Sequence, residues 1–102
     1  MIQNPNQAPQ RRGAQIAFGA PSGPVTLVSA GANTTGLIVR TAILYSASGV
    51  SIELETGSQP VFLALNGVFN YVGPGVLVPP GQALSIDVTG AGPSYVVTWD
   101  VI

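Results

Sequence analysis

Ala83-Leu84-Ser85-Ile86-Asp87-Val88-Thr89, the loop Gly90-Ala91-Gly92-Pro93, and Ser94-Tyr95-Val96-Val97-Thr98-Trp99-Asp100-Val101-Ile102 decide the fold class of this chain. Leu84, Ile86 and Val88 alternate with Ser85, Asp87 and Thr89, and Tyr95, Val97, Trp99 and Val101 repeat the period. That period belongs to strands with one buried face. Closing the loop as a hairpin with Thr89 opposite Ser94 sets Val88 against Tyr95, Ile86 against Val97 and Leu84 against Trp99. The other face then pairs Ser85 with Thr98 and Asp87 with Val96, so the register predicts an apolar side and a mostly polar one.

Upstream of the turn Pro79-Pro80-Gly81-Gln82, apolar runs recur between Gly- and Pro-rich breaks. Residues 15–18 and 24–30 form short candidate strands, and Gly31-Ala32-Asn33-Thr34-Thr35-Gly36 has the composition of a loop. Residues 37–46 are apolar on both faces apart from Arg40, Thr41 and Ser46, the pattern of a central strand covered on both sides. Arg40 inside such a run needs solvent or a carboxylate, for which Glu53 and Glu55 are the candidates. In residues 50–56, Val50, Ile52 and Leu54 point inward and Ser51, Glu53 and Glu55 outward. Asn66-Gly67 separates two apolar runs, 61–65 and 68–72, and predicts a type I′ hairpin turn that pairs Phe62 with Tyr71 and Leu65 with Val68. With 13 Gly and 9 Pro among 102 residues, and no segment that requires a helix, the class is all-β. The expected architecture is an antiparallel two-sheet β-sandwich, jelly-roll-like, of about eight short strands.

Two domains of different character follow. Residues 1–14 carry Asn4, Pro5, Asn6, Gln7, Pro9, Gln10, Arg11 and Arg12 and offer nothing to bury, so they are expected to form an extended flexible arm. Residues 15–102 form the sandwich. Arg11 and Arg12 are two of only three cations, so from Gly13 onward one arginine (+1) faces four acids (−4), leaving −3. A basic arm on an acidic body can dock on a neighbouring copy or another acidic surface, with Gln10, Arg11 and Arg12 as the contact residues.

Charged residues make up 7% of the chain, against roughly 25% in an ordinary soluble domain. A surface so poor in charge lacks the repulsion that keeps monomers apart, so copies of the chain or another particle are expected to cover part of it. The chain has no His, Cys or Lys, which removes disulfides, thiolate metal sites and the usual bases and nucleophiles. In the hairpin register Asp87 and Asp100 stand on the order of 13 Å apart, beyond the roughly 5 to 9.5 Å of glycosidase carboxyl pairs. Glu53 and Glu55 share one strand face and suit Ca²⁺ weakly; an exposed acidic face is the plainer account. No enzyme activity, cofactor or metal is expected. The acidic body also argues against nucleic acid, and Gly and Pro interrupt every apolar run long enough to span a membrane as a helix. Residues 1–10 contain no apolar core of a signal peptide. Among the aromatics, Trp99, Tyr95 and Phe62 fall on core faces, which leaves Tyr71 as the weak candidate for ligand stacking.

Residues 36–102 resemble the small β-sandwich virion proteins of tailed bacteriophages, of the head-decoration or fibre type. The resemblance rests on residues 37–46, on Val78-Pro79-Pro80-Gly81-Gln82-Ala83-Leu84-Ser85-Ile86-Asp87, and on the closing strand near an aromatic. It implies a non-enzymatic structural protein, homo-oligomeric and often trimeric, made in the host cytoplasm and carried on the virion surface. Such a protein attaches through a terminal arm to the major capsid or tail protein. The alternative expectation is a glycan- or receptor-binding tip.

Overall fold

The computed structural model describes residues 13–102. Among them the chain is all-β and antiparallel, with six strands: β1 (Gln15–Gly19), β2 (Val25–Val28), β3 (Leu37–Thr56), β4 (Gln59–Val78), β5 (Leu84–Val88) and β6 (Ser94–Val101). Hydrogen bonds join them into one sheet of order β1-β6-β3-β5-β2, with β4 paired to β3. The expected count of about eight short strands falls to six, because residues 37–46 and 50–56 belong to one 20-residue strand, and residues 61–65, 68–72 and 76–78 to another.

The turn that joins these two long strands is Gly57-Ser58, where both residues have positive φ, 56° and 68°, and Thr56 pairs with Gln59. That is the two-residue turn geometry whose twist suits a hairpin. The predicted Asn66-Gly67 hairpin does not form. Asn66 does take φ 56°, but it marks a corner inside β4, and its Oδ1 accepts a hydrogen bond from the Gly49 amide at 2.8 Å. Both runs beside Asn66 pair with β3 instead of each other, Phe62 with Leu54 and Tyr71 with Ala42. At the matching corner of β3 the register jumps between Ser46 and Ser51, and the buried Ser46 hydroxyl lies against the carbonyls of Ala47 and Val50.

The corners divide the long hairpin into two halves. The first half of β3 pairs with β6, Val39 with Trp99, Ala42 with Val97 and Leu44 with Tyr95, and β6 carries β1. The second half pairs with β5, Ile52 with Val88 and Leu54 with Ile86, and β5 carries β2. This overturns the expected β5–β6 hairpin. Leu84/Ile86 and Tyr95/Val97/Trp99 point inward, as the alternation predicts, whereas Val101, which it also sets inward, is 61% exposed at the end of β6; and the loop after Thr89 carries the chain from one half to the other. Each strand thereby gains a neighbour on both sides, which a hairpin at the sheet edge would not provide.

Both halves drain into one core. Leu37, Val39, Ala42 and Leu44 from the first half of β3 cluster with Ile52 and Leu54 from the second, together with Leu84 and Ile86 of β5 and Tyr95, Val97 and Trp99 of β6. Where β4 turns its corner, the Phe62 ring lies 4.8 Å from both Phe69 and Tyr71, centroid to centroid. Phe62 comes from the second half and the other two from the first, so their stacking joins the halves along the β4 side.

The loop 29–36 is fastened by a side chain that its composition does not single out. Asn33 is 2% exposed; its Nδ2 donates to the carbonyls of Pro79 and Gln82, both at 2.9 Å, and its Oδ1 accepts from the Gly36 amide. The Gly81 amide donates to the Asn33 carbonyl. One asparagine thus locks the Pro79-Pro80-Gly81-Gln82 turn to the entry of β3 and satisfies groups that would otherwise be buried unpaired. No helix among the described residues is long and apolar enough to cross a membrane.

Candidate functional site

The strand registers give the molecule two outer faces of opposite character. On the first half, outward positions line up across strands: Phe18, Val96, Ile43 and Asn70 in one row, and Ile16, Thr98, Thr41 and Val72 in the next. Ser94, Tyr45 and Val68 form a third row, and Asp100, Ile38 and Leu77 a fourth. Phe18 is 71% exposed, Val68 65% and Val72 54%, so this is an open apolar surface. Residues 37–46 were expected to be covered on both sides. The described residues cover only one side, and Ile43 and Tyr45 stand exposed on the other.

The rim of that face holds its charge. Arg40 sits in a bulge between Val39 and Thr41, and its Nε donates to Asp100 Oδ2 at 2.8 Å while an Nη donates to the Pro74 carbonyl. The expected pairing with Glu53 or Glu55 is excluded by position, since those residues lie on the other half of β3. The half-exposed Arg40–Asp100 pair contributes modestly to stability; its effect is to leave the apolar face without net charge. The chain enters beside it: the Ala14 amide donates to Asp100 Oδ1 at 2.7 Å, and the buried Gly13 amide to Thr98 Oγ1 at 2.9 Å. Gln10, Arg11 and Arg12, the predicted contact residues of the arm, lie outside the described residues.

The second outer face is acidic along β3 and β5, with Leu63 of β4 exposed beside Glu53. Glu53 pairs directly with Asp87, and Glu55 with Ser85. Carboxylate oxygens of Glu53, Glu55 and Asp87 all fall within 4.8 Å of one another. Asp87 completes a group of which sequence reasoning saw only Glu53 and Glu55, because its strand partner was misassigned. The spacing is within reach of a single Ca²⁺, yet three like charges on a partly exposed strand face need no ion to account for them. Their cost is visible at Glu55, whose carboxyl is raised above the ordinary value of 4.5 by partial burial first, then by the charges of Asp87 and Glu53 and a hydrogen bond to Glu53.

A raised carboxyl favours the folded state while protonated. Its contribution is full below the unfolded value and is lost as pH rises through the higher folded value. Glu55→Gln should therefore melt at the same temperature as the parent well below pH 4.5 and slightly above it near neutrality, as thermal denaturation at a series of pH values will read.

Tyr71, the candidate for ligand stacking, is half-buried on the inward side of β4. Its ring stacks obliquely on Phe62 and its hydroxyl accepts the Gly75 amide at 3.1 Å. Asp87 and Asp100, weighed as a carboxyl pair, lie on different halves of the sheet.

No protein-family model matches the chain, and no curated protein or solved structure gives a significant match.

Proposed function

We propose that this chain is a non-enzymatic structural module of a viral particle, a homo-oligomeric capsid-decoration or fibre-type subunit that attaches through its amino-terminal arm. The observation that carries the reading is the open apolar face on one half of a chain with 7% charged residues. Exposed apolar patches of this extent belong to surfaces that another molecule covers. The architecture suits the reading as well. A long hairpin bent at Ser46–Ser51 and at Asn66, with a common core between its halves and a least dimension of 18 Å, supports reading the one sheet as a two-layer, jelly-roll-like sandwich. The resemblance of residues 36–102 to small phage virion sandwiches points the same way.

Attachment is assigned to residues 1–12, where Arg11 and Arg12 concentrate the positive charge. Gly13 and Ala14 are fastened to β6, so removal of residues 1–12 spares the body. The full chain and this truncated form should show the same multi-subunit mass by light scattering after size exclusion. Only the full chain should co-sediment with particles of the phage that encodes it. A concentrated solution of single subunits with no affinity for particles would overturn the reading.

A further inference from the structure

From the strand registers we infer that the apolar outer face of β1, β6, β3 and β4 is where a second copy of this chain packs, sheet against sheet. The inference rests on the self-association proposed above and adds its location and geometry.

The face has the size such a contact requires. Three strands about 27 Å long and the shorter β1, about 17 Å, spaced about 4.8 Å apart, project roughly 470 Å². A pleated surface carrying Phe18, Tyr45, Ile43, Val68 and Val72 offers more than its projection, on the scale of about 800 Å² per partner in a standard interface. Its chemistry also suits a copy of itself. The polar groups among the rows are uncharged, Asn70, Ser94, Thr41 and Thr98, the last buried beneath Gly13, and among the described residues of this face the only ions, Arg40 and Asp100, neutralise each other at the rim. A neutral apolar surface offers nothing to a charged partner and is complementary to its own image across a two-fold axis.

The opposite face supplies the orientation. Glu53, Glu55 and Asp87 hold three of the four acids of the chain on the other half. Apolar faces brought together place these clusters on opposite outer sides of the pair, where repulsion between copies is least. The remaining stretch of the chain, residues 1–12, has the wrong composition to cover the face: its apolar residues are Met1, Ile2 and Ala8, apart from two prolines. Sheet-on-sheet packing at about 10 Å, with Phe18 and Tyr45 as aromatic anchors, is the geometry expected.

The test compares Ile43→Lys and the milder Ile43→Thr and Val72→Thr with Thr26→Lys, on an exposed position of β2, and Leu65→Lys, beside the corner of β4. Circular dichroism checks folding, and sedimentation measures association over a concentration series. A lysine at Ile43 meets an apolar surface, and near a two-fold axis its own copy, so association should weaken by about 100-fold or more; the threonine variants should weaken it less, and Thr26→Lys not at all. A parent that associates while the folded Ile43 and Val72 variants associate equally well overturns the location and leaves the assembly reading standing. Loss confined to Leu65→Lys would put the contact on the β4 edge instead, with the same consequence. A monomeric parent overturns both. A full chain that associates only after residues 1–12 are removed would assign the face to the chain's own amino terminus.

Discussion

Asn33→Ala is expected to lower stability by about 2–4 kcal/mol, because it removes three hydrogen bonds made by a buried side chain, one of them fully buried and two partly so. The carbonyls of Pro79 and Gln82 and the amide of Gly36 lose their partner together. In a domain of this size 1 kcal/mol corresponds to about 4–8 °C, so the melting temperature should fall by roughly 10 °C or more. Asn33→Asp sharpens the test. Its carboxylate keeps the acceptor for Gly36 but turns negative charge toward two carbonyl oxygens, which raises the folded carboxyl value. Stability of that variant should be greatest in acid, where a protonated carboxyl donates one of the lost bonds, and should decline as pH rises through the folded value. Equal melting of Asn33→Ala and the parent would show that the loop and the Pro79-Pro80 turn hold without this residue.

Gly75→Ala is the second change with a large effect. Gly75 has φ 118°, a backbone region that side chains rarely adopt, and a Cβ there would lie 2.3 Å from Cγ2 of Ile38. The φ alone costs about 1–3 kcal/mol, and displacement of Ile38 adds to it. Gly49→Ala separates the two contributions: φ is 80° and nothing lies within 4 Å of the added methyl group, so only the backbone cost remains. Thermal melts should rank the parent above Gly49→Ala and Gly49→Ala above Gly75→Ala. Equal losses would mean that Ile38 swings aside at no cost. The bulge around Gly75 also carries the Pro74 carbonyl to Arg40, so this variant should loosen the rim of the apolar face.

Side-chain alternation told which residues turn inward, because a strand exposes its faces to different surroundings whichever strand it pairs with. Leu84, Ile86, Tyr95, Val97, Trp99, Ile52 and Leu54 are buried for that reason. Pairing was not legible in the same way. Asn66-Gly67 and Gly57-Ser58 both permit tight turns, and the choice between them depends on which gives two 20-residue strands their full ladder. Asn66 kept its left-handed backbone but serves a corner. Phe62 and Tyr71 do meet, as ring against ring across that corner rather than as neighbours in a ladder. The candidate site was half legible. Glu53 and Glu55 were visible as an outward pair, but Asp87 joins them only through the β3–β5 register. The apolar character of residues 37–46 on both faces was also visible; that the described residues leave Ile43 and Tyr45 uncovered required the structure.

The two corners in β3 and β4 have a consequence for how the molecule comes apart. Each long strand contributes to both halves of the sheet, so neither half owns a complete set of strands that could persist without the other. Frayed ends and loops aside, there is no seam to open part-way, and loss of order in one half strips the other of its central pair. A chain built in this manner is either whole or absent, so its unfolding should be all-or-none.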